Sequence, residues 1–360
     1  MKYCLIIFFV LPSFLSFSQI RIIDSEDLSP IPFAIVVNEN GIYVGSSNQQ
    51  GILEIDENAP RPLHRLVVQR LSYNNLSFDW DSIAQIQIIK LIKRDFVIPE
   101  VIVAGHTKEK PQYVMLRGFF RSYQLQDGIP KYYADGIVEY YLRKNTVKNR
   151  IVQVRFFRNE ALVKILAKRA GGIIGFDVGK LTFPTLSLIN SRKSDYSFET
   201  YGDKSNILKK GIVVGVIQYN DSSKISEVFF DKIAPDSIKV FSIFGVTYKT
   251  IRENNIENYY STSINQISND SLISQYTFAK NIFIDKDKNP IEFVKSTEFY
   301  VFESKPVYKS DLKEIKLSSN FELKNESRIE NEYWTQLDEY QISSLPSFIE
   351  DLLGSTLIQY

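Results

Sequence analysis

Cysteine is nearly absent: Cys4 is the only one in 360 residues, and it lies in an N-terminal segment expected to be removed. The mature chain then has no disulfide, no thiol nucleophile and no thiolate metal ligand, so its folding must rest on buried apolar surface. Histidine is almost as scarce. His64, near Pro60 and Pro62, and His106 are the only two, too few for the His-based zinc sites of hydrolases, and both read as exposed loop residues. Neither sign of charge is in excess. Lys plus Arg number 43 against 42 Asp plus Glu, and loss of Lys2 with the leader leaves the mature chain formally neutral. That argues against nucleic acid, which demands a basic face. Beyond the N-terminus no apolar run approaches the roughly 20 residues that span a bilayer as a helix. The chain is also too short to add an outer-membrane barrel to a first domain. A soluble or peripheral mature protein without a transmembrane segment is expected.

What is present begins with a leader. Lys2 is followed by an apolar run from Leu5 to Leu15, interrupted by Pro12, and then by the small-x-small triplet Ser16-Phe17-Ser18. This is the form of a signal peptide cleaved after Ser18. A lipoprotein would carry a cysteine just after the apolar run, whereas Cys4 precedes it. The expected compartment is the periplasm or the outer-membrane surface. Composition then sets the class of fold: 21 Tyr and 25 Phe against 2 Met, with abundant Ile and Val, favour strands. The chain reads as mainly β.

Residues 19–104 read as eight short strands: Ile20–Ile23, Phe33–Val37, Ile42–Gly45, Ile52–Ile55, Leu66–Leu71, Leu76–Trp80, Ile86–Leu91 and Val101–Val103. Pro, Gly and Asn separate them, as in an all-β sandwich, and Asn40-Gly41 is expected to form a tight hairpin turn. Three blocks, Ile22-Ile23-Asp24, Pro30 to Val37 and Gly45 to Ile55, resemble the opening strand, the Pro-x-x-x-Ala-x-Val strand and the following hairpin of the carboxypeptidase regulatory-like family. Ile89-Lys90-Leu91 and Ile98 to Val103 resemble its closing strand. Asn48 stands for the usual Asp, Leu53 for Phe, and Ser72 for the Gly that precedes Tyr73. The resemblance implies a transthyretin-like β-sandwich with none of the peptidase's zinc ligands. It also implies an exported cell-envelope protein of the shorter, barrel-less type found in certain Gram-negative bacteria.

Residues 105–111 read as a linker and 112–360 as a larger antiparallel β-rich domain of unknown function with one or two helices. Leu116 to Arg121, Tyr132 to Tyr141 and Ile151 to Phe156 resemble the segment that follows the regulatory-like domain in those shorter exported proteins. Two hairpins are expected, Gly211–Gln218 with Ile225–Phe230 and Tyr276–Ile284 with Ile291–Phe302. Helical spacing marks Asn159 to Gly175, stopped by Gly171-Gly172, and Pro346 to Gly354 reads as a short capped helix.

Chemistry-bearing motifs fail on inspection. Ser310-Asp311-Leu312-Lys313 has the Ser-x-x-Lys form without its companion Lys-Thr-Gly, and no Gly-x-Ser-x-Gly elbow marks a serine nucleophile. Asp285 to Asn289 begins like a calcium loop, but Pro290 and Ser296 occupy the positions of its required Gly and Glu, leaving a polar hairpin turn. Gly171-Gly172 lacks the Lys-Ser/Thr of a phosphate loop. The paired aromatics Phe119-Phe120, Tyr132-Tyr133, Tyr140-Tyr141 and Tyr259-Tyr260 are expected to put one ring in the core and one at the surface. Asp81-Ser82-Ile83, Asp236-Ser237-Ile238 and Asp270-Ser271-Leu272 have the form of a short glycosylation acceptor used on exported proteins. No catalytic, cofactor-binding or metal-binding residue is assigned, and no cofactor is expected. The expectation is a non-enzymatic envelope protein that binds a protein, glycan or lipid. A periplasmic carrier of an apolar ligand in the second domain is the alternative, and an envelope hydrolase comes third.

Overall fold

The computed structural model describes residues 19–48, 50–56, 59, 64–83, 87–94, 100–101, 110–144, 146–169, 181–186, 196–231, 239–243, 245–338, 340, 342 and 345–360. The leader, His106, Gly171-Gly172, Asp236-Ser237-Ile238 and most of the expected linker lie outside these residues. The protein is mainly β. Its first module contains β1 (Arg21–Asp24), β2 (Ile35–Asn38), β3 (Tyr43–Ser47), β4 (Leu53–Ile55), β5 (Arg65–Gln69), β6 (Leu76–Asp79), the helical turn α1 (Trp80–Ile83) and β7 (Ile88–Leu91). β2 to β6 form a five-stranded antiparallel sheet in the order β4-β3-β2-β5-β6, and β1 pairs with β7 in parallel. Ile22, Ile89 and Leu91 of the parallel pair pack on Val36, Val44, Leu66 and Val68 of the five-stranded sheet, which makes this module a small sandwich.

The turn between β2 and β3 is wider than the tight turn expected at Asn40-Gly41. Only Gly41 takes the left-handed conformation, at φ +76°. Asn38 closes the loop instead, its Oδ1 accepting the N–H of Asn40 at 3.0 Å and of Ile42 at 2.8 Å.

The second module is one large sheet. Its strands are β8 (Glu100–Val101), β9 (Tyr113–Gln126), β10 (Ile129–Arg143), β11 (Thr146–Arg158), β12 (Ser197–Tyr201), β13 (Lys204–Lys209), β14 (Ile212–Asn220), β15 (Ile225–Asp231), β16 (Lys239–Ile243), β17 (Val246–Tyr260), β18 (Leu272–Ile284), β19 (Pro290–Val307) and β20 (Ile358–Gln359). Helices α2 (Glu160–Arg169) and α3 (Ser347–Glu350) accompany them. The 13 strands run β12-β13-β14-β15-β17-β18-β19-β9-β10-β11-β20, with β16 on β17 and β8 on β19. Both expected hairpins form, as β14–β15 and β18–β19. β8 departs from expectation: the start of the anticipated closing strand of the sandwich pairs with β19 of the large sheet, in parallel.

Strands β9 and β10 are buried almost end to end, because the sheet is covered on both faces. On the first face, Phe120, Tyr140 and Phe299 pack against Phe183 and Phe321. The last two belong to extended segments bridged at Thr182 and Glu322. On the second face the first module docks: Phe33, Ile35, Val37 and Tyr43 share a core with Phe229, Ile256 and Phe278, which extends to Phe348 and Ile349 of α3. Alternate residues of β2 therefore serve two cores, Val36 the sandwich and Ile35 and Val37 the docking interface. The expectation of one ring in and one ring out fails for Phe119-Phe120, Tyr132-Tyr133 and Tyr140-Tyr141, where all six side chains are buried, and holds for Tyr259-Tyr260.

Candidate functional site: the cleft between the modules

Beside the docked apolar surface lies a cavity of about 80 Å³ lined by both modules. It is built around Arg70, the residue after β5, whose side chain is inserted between the sheets and only 1% exposed. Its Nε donates to the Pro32 carbonyl at 2.9 Å, and its Nη2 donates to the carboxylate of Glu227 on β15. Nη1 is buried and has no hydrogen-bond partner. Leaving a guanidinium N–H unpaired in the interior costs about 1–3 kcal/mol, so this atom marks a place built to meet an acceptor.

Next along the chain, Ser72 has φ +77°, a left-handed conformation that costs a non-glycine residue about 1–2 kcal/mol. Its side chain explains why a serine stands there. The Asn258 amide of β17 donates to Ser72 Oγ at 3.0 Å and to Ser274 Oγ at 3.0 Å, which ties the strained turn across the cleft to the large sheet. Strain of this kind collects at binding sites. Tyr73 then donates its hydroxyl to Asp24 Oδ2 at 2.9 Å, and burial, with the nearby Glu227 charge, raises its pKa so that the phenol stays protonated.

The far wall comes from the β14–β15 turn. Ser223 is fixed by its own N–H, donated to Asn220 Oδ1 at 3.0 Å, while its Oγ is buried and unpartnered. Lys93 and Asp27 stand on the first module's side. Hydrogen bonds from Ser29 hold the Asp27 carboxylate below its usual pKa, and the Lys93 charge adds to the effect. Three carboxylates, Asp24, Asp27 and Glu227, thus face two cations, Arg70 and Lys93, and none of the five can both donate and accept while ionised.

The residues singled out in the sequence lie elsewhere. His64 is an exposed residue whose carbonyl accepts the Trp80 N–H. Ser310 is exposed and donates to Asp311 Oδ1 at 3.2 Å. Asp285 to Asn289 form the β18–β19 turn, with Asp285 Oδ1 accepting the Asn289 N–H at 2.8 Å. Among the described residues no cluster of three or more His, Cys, Asp or Glu could hold a metal ion, and no helix is long and apolar enough to cross a membrane. Sequence reasoning missed Arg70 and Glu227, 157 positions apart. Two traces of the site were in the sequence: Ser72 in the place of a glycine, and the acidic turn Asp24, Glu26 and Asp27, which reads as a solvated loop although Asp24 and Asp27 line the cavity.

No family model matches the chain, and no curated protein matches it. Among solved structures, one of lipovitellin described by its lipid–protein interactions aligns with 64% of this chain and 29% of its own length, at 10% identity and a TM-score of 0.28. At that score the likeness carries no argument.

Proposed function

We propose that this chain is an exported, non-enzymatic envelope protein that binds a polyhydroxylated ligand, the terminal unit of a glycan, in the cleft between its modules. The leader form of residues 1–18 and the regulatory-like resemblance of residues 19–104 support export. The observation that carries the ligand class is the pairing of unpartnered Arg70 Nη1 with unpartnered Ser223 Oγ in one cavity, beside five ionised groups that only donate or only accept. A hydroxyl does both, so one sugar hydroxyl accepts from Arg70 while donating to a carboxylate. A simple anion would meet the three carboxylates unfavourably. The cavity of about 80 Å³ has room for about three waters, so it receives one hydroxyl-bearing edge of a sugar ring rather than the whole ring.

Calorimetric titration with a panel of neutral monosaccharides, glucuronate and free amino acids tests this. At least one neutral sugar is expected to bind, and Arg70→Met and Ser223→Ala each to weaken it at least tenfold. Absence of saccharide binding, or binding indifferent to both substitutions, refutes the reading.

Carriage of an apolar ligand by the second module is the second reading, supported by the apolar cluster on the first face of the large sheet. Phe183 and Phe321 already occupy that space, so an acyl chain enters only by displacing them. Mass spectrometry of solvent extracts from gently purified protein decides the point. A stoichiometric lipid supports carriage, and a lipid-free extract counts against it.

A further inference from the structure

A second concavity lies at the end of the large sheet, far in sequence from the cleft. It is an open groove of about 610 Å³ lined by the start of β9, the start of β11 and the segment after β19. That segment leaves β19 at Val307, makes a tight turn at Ser310–Leu312 and returns to pair with β11, Ser318 and Asn149 exchanging backbone hydrogen bonds at 2.8 and 2.9 Å. Leu312, Ile315 and Leu317 of this strap lie half-buried over Tyr113, Met115, Tyr141 and Val307. The result is an apolar floor that stays partly in contact with solvent.

Charge is distributed unevenly around it. Lys148, Lys309 and Lys313 line the groove, and no acidic residue does, although the whole chain is close to neutral. Asp311, inside the same turn, is withdrawn to hold the turn together: its Oδ2 accepts the Tyr308 N–H at 2.8 Å and its Oδ1 the Ser310 hydroxyl at 3.2 Å. None of the three lysines makes an ion pair among the described residues. The Ser-x-x-Lys motif that failed as a nucleophile signature thus has Ser310 and Lys313 on the wall of a lysine-rimmed apolar groove.

We infer that this groove binds a single-chain anionic amphiphile, with its phosphate or carboxylate head among Lys148, Lys309 and Lys313 and its alkyl tail on Leu312, Ile315 and Leu317. Charge complementarity selects the head, because three lining cations with no ion pair among the described residues outnumber the one nearby carboxylate, Asp311, which the turn already engages, and so favour an anion over a neutral head. Size selects a small molecule over a macromolecular surface, since the volume falls within the roughly 300–1,000 Å³ of small-ligand sites. The inference does not depend on the saccharide reading, which concerns a different cavity.

The test uses the full mature chain and alkyl phosphates of 8, 10 and 12 carbons (~8–12, below their micellar concentrations), with decyl maltoside, inorganic phosphate and phosphatidylglycerol vesicles as the other probes. Decyl phosphate is expected to bind and to shift the methyl resonances of Leu312, Ile315 and Leu317. Its affinity should rise by up to about fourfold per added methylene and fall at least tenfold in Lys309→Glu/Lys313→Glu. Both lysines are exposed, so the variant should melt like the parent, and Leu312→Gln supplies an independent loss through the floor. Equal binding of decyl maltoside overturns the anionic head. Binding of inorganic phosphate with no chain-length dependence overturns the tail. Binding to vesicles alone assigns the surface to a membrane and overturns the single-chain ligand, and affinity unchanged in both variants overturns the site.

Discussion

Asp135 sits at the centre of the second face of the large sheet, 1% exposed, and its carboxylate is fully engaged. Arg155 donates to it twice, Nε at 2.9 Å and Nη2 at 2.5 Å, and the hydroxyls of Tyr133 and Tyr333 donate at 2.6 and 2.7 Å. Trp334 covers the Arg155 guanidinium at 4.1 Å. A buried pair contributes little net stability when intact, but removing one partner strands the other charge at about 3–5 kcal/mol. Asp135→Asn is therefore expected to lower unfolding free energy by roughly that amount in urea melts. Asp231 shows the opposite logic. Burial raises its pKa to about 6, the Arg252 charge opposing the rise. The folded chain thus takes up a proton between pH 6 and 4 that the unfolded chain does not. This contribution to stability is complete below the unfolded pKa and is lost as pH rises through 6. Relative to Asp231→Asn, the parent should gain about 1 kcal/mol between pH 7 and pH 5. Parallel stability curves for the two proteins would rule this out.

At the scale of the element, hairpins and helix starts were legible and partners were not. The strand patterns of Gly211–Gln218 and Ile225–Phe230 and the turn chemistry of Asp285 to Asn289 predict β14–β15 and β18–β19, and both form within a few residues of the expected bounds. Helical spacing after Asn159 predicts α2, found at Glu160–Arg169. Local patterns can do this because the hydrogen bonds they specify are local. The chosen neighbour of β9 is β19, more than 150 positions on, and no local signal names it. Gly136 belongs to the same scale. A Cβ there would lie 2.2 Å from the Gln153 carbonyl oxygen of β11 and 2.9 Å from the Phe120 ring. The backbone neighbour cannot yield without opening the ladder, so Gly136→Ala should destabilise by roughly 2 kcal/mol or more. Hydrogen exchange should report the loss first in β10 and β11, and a neutral effect would show that the ladder relaxes.

The two modules of the whole molecule share one core. Phe33, at φ +62°, stacks on Phe229, and Ile35, Val37 and Tyr43 contribute to the same cluster. Lys280 on β18 reaches Asp56 of the first module at 3.0 Å and is 6% exposed. Calorimetry should therefore give a single transition for the mature chain, and residues 19–94 alone should lose stability through exposure of that apolar face. Two separated transitions would mean that docking contributes little. The sequence by itself determined the class of fold and the short strands of the first module, because strand propensity and turn chemistry are properties of adjacent or countable residues. Only tertiary structure decided that β2 is buried on both sides, that Arg70 meets Glu227, and that Ser223 and Lys313 line cavities, since each depends on which surfaces the chain brings together across long separations.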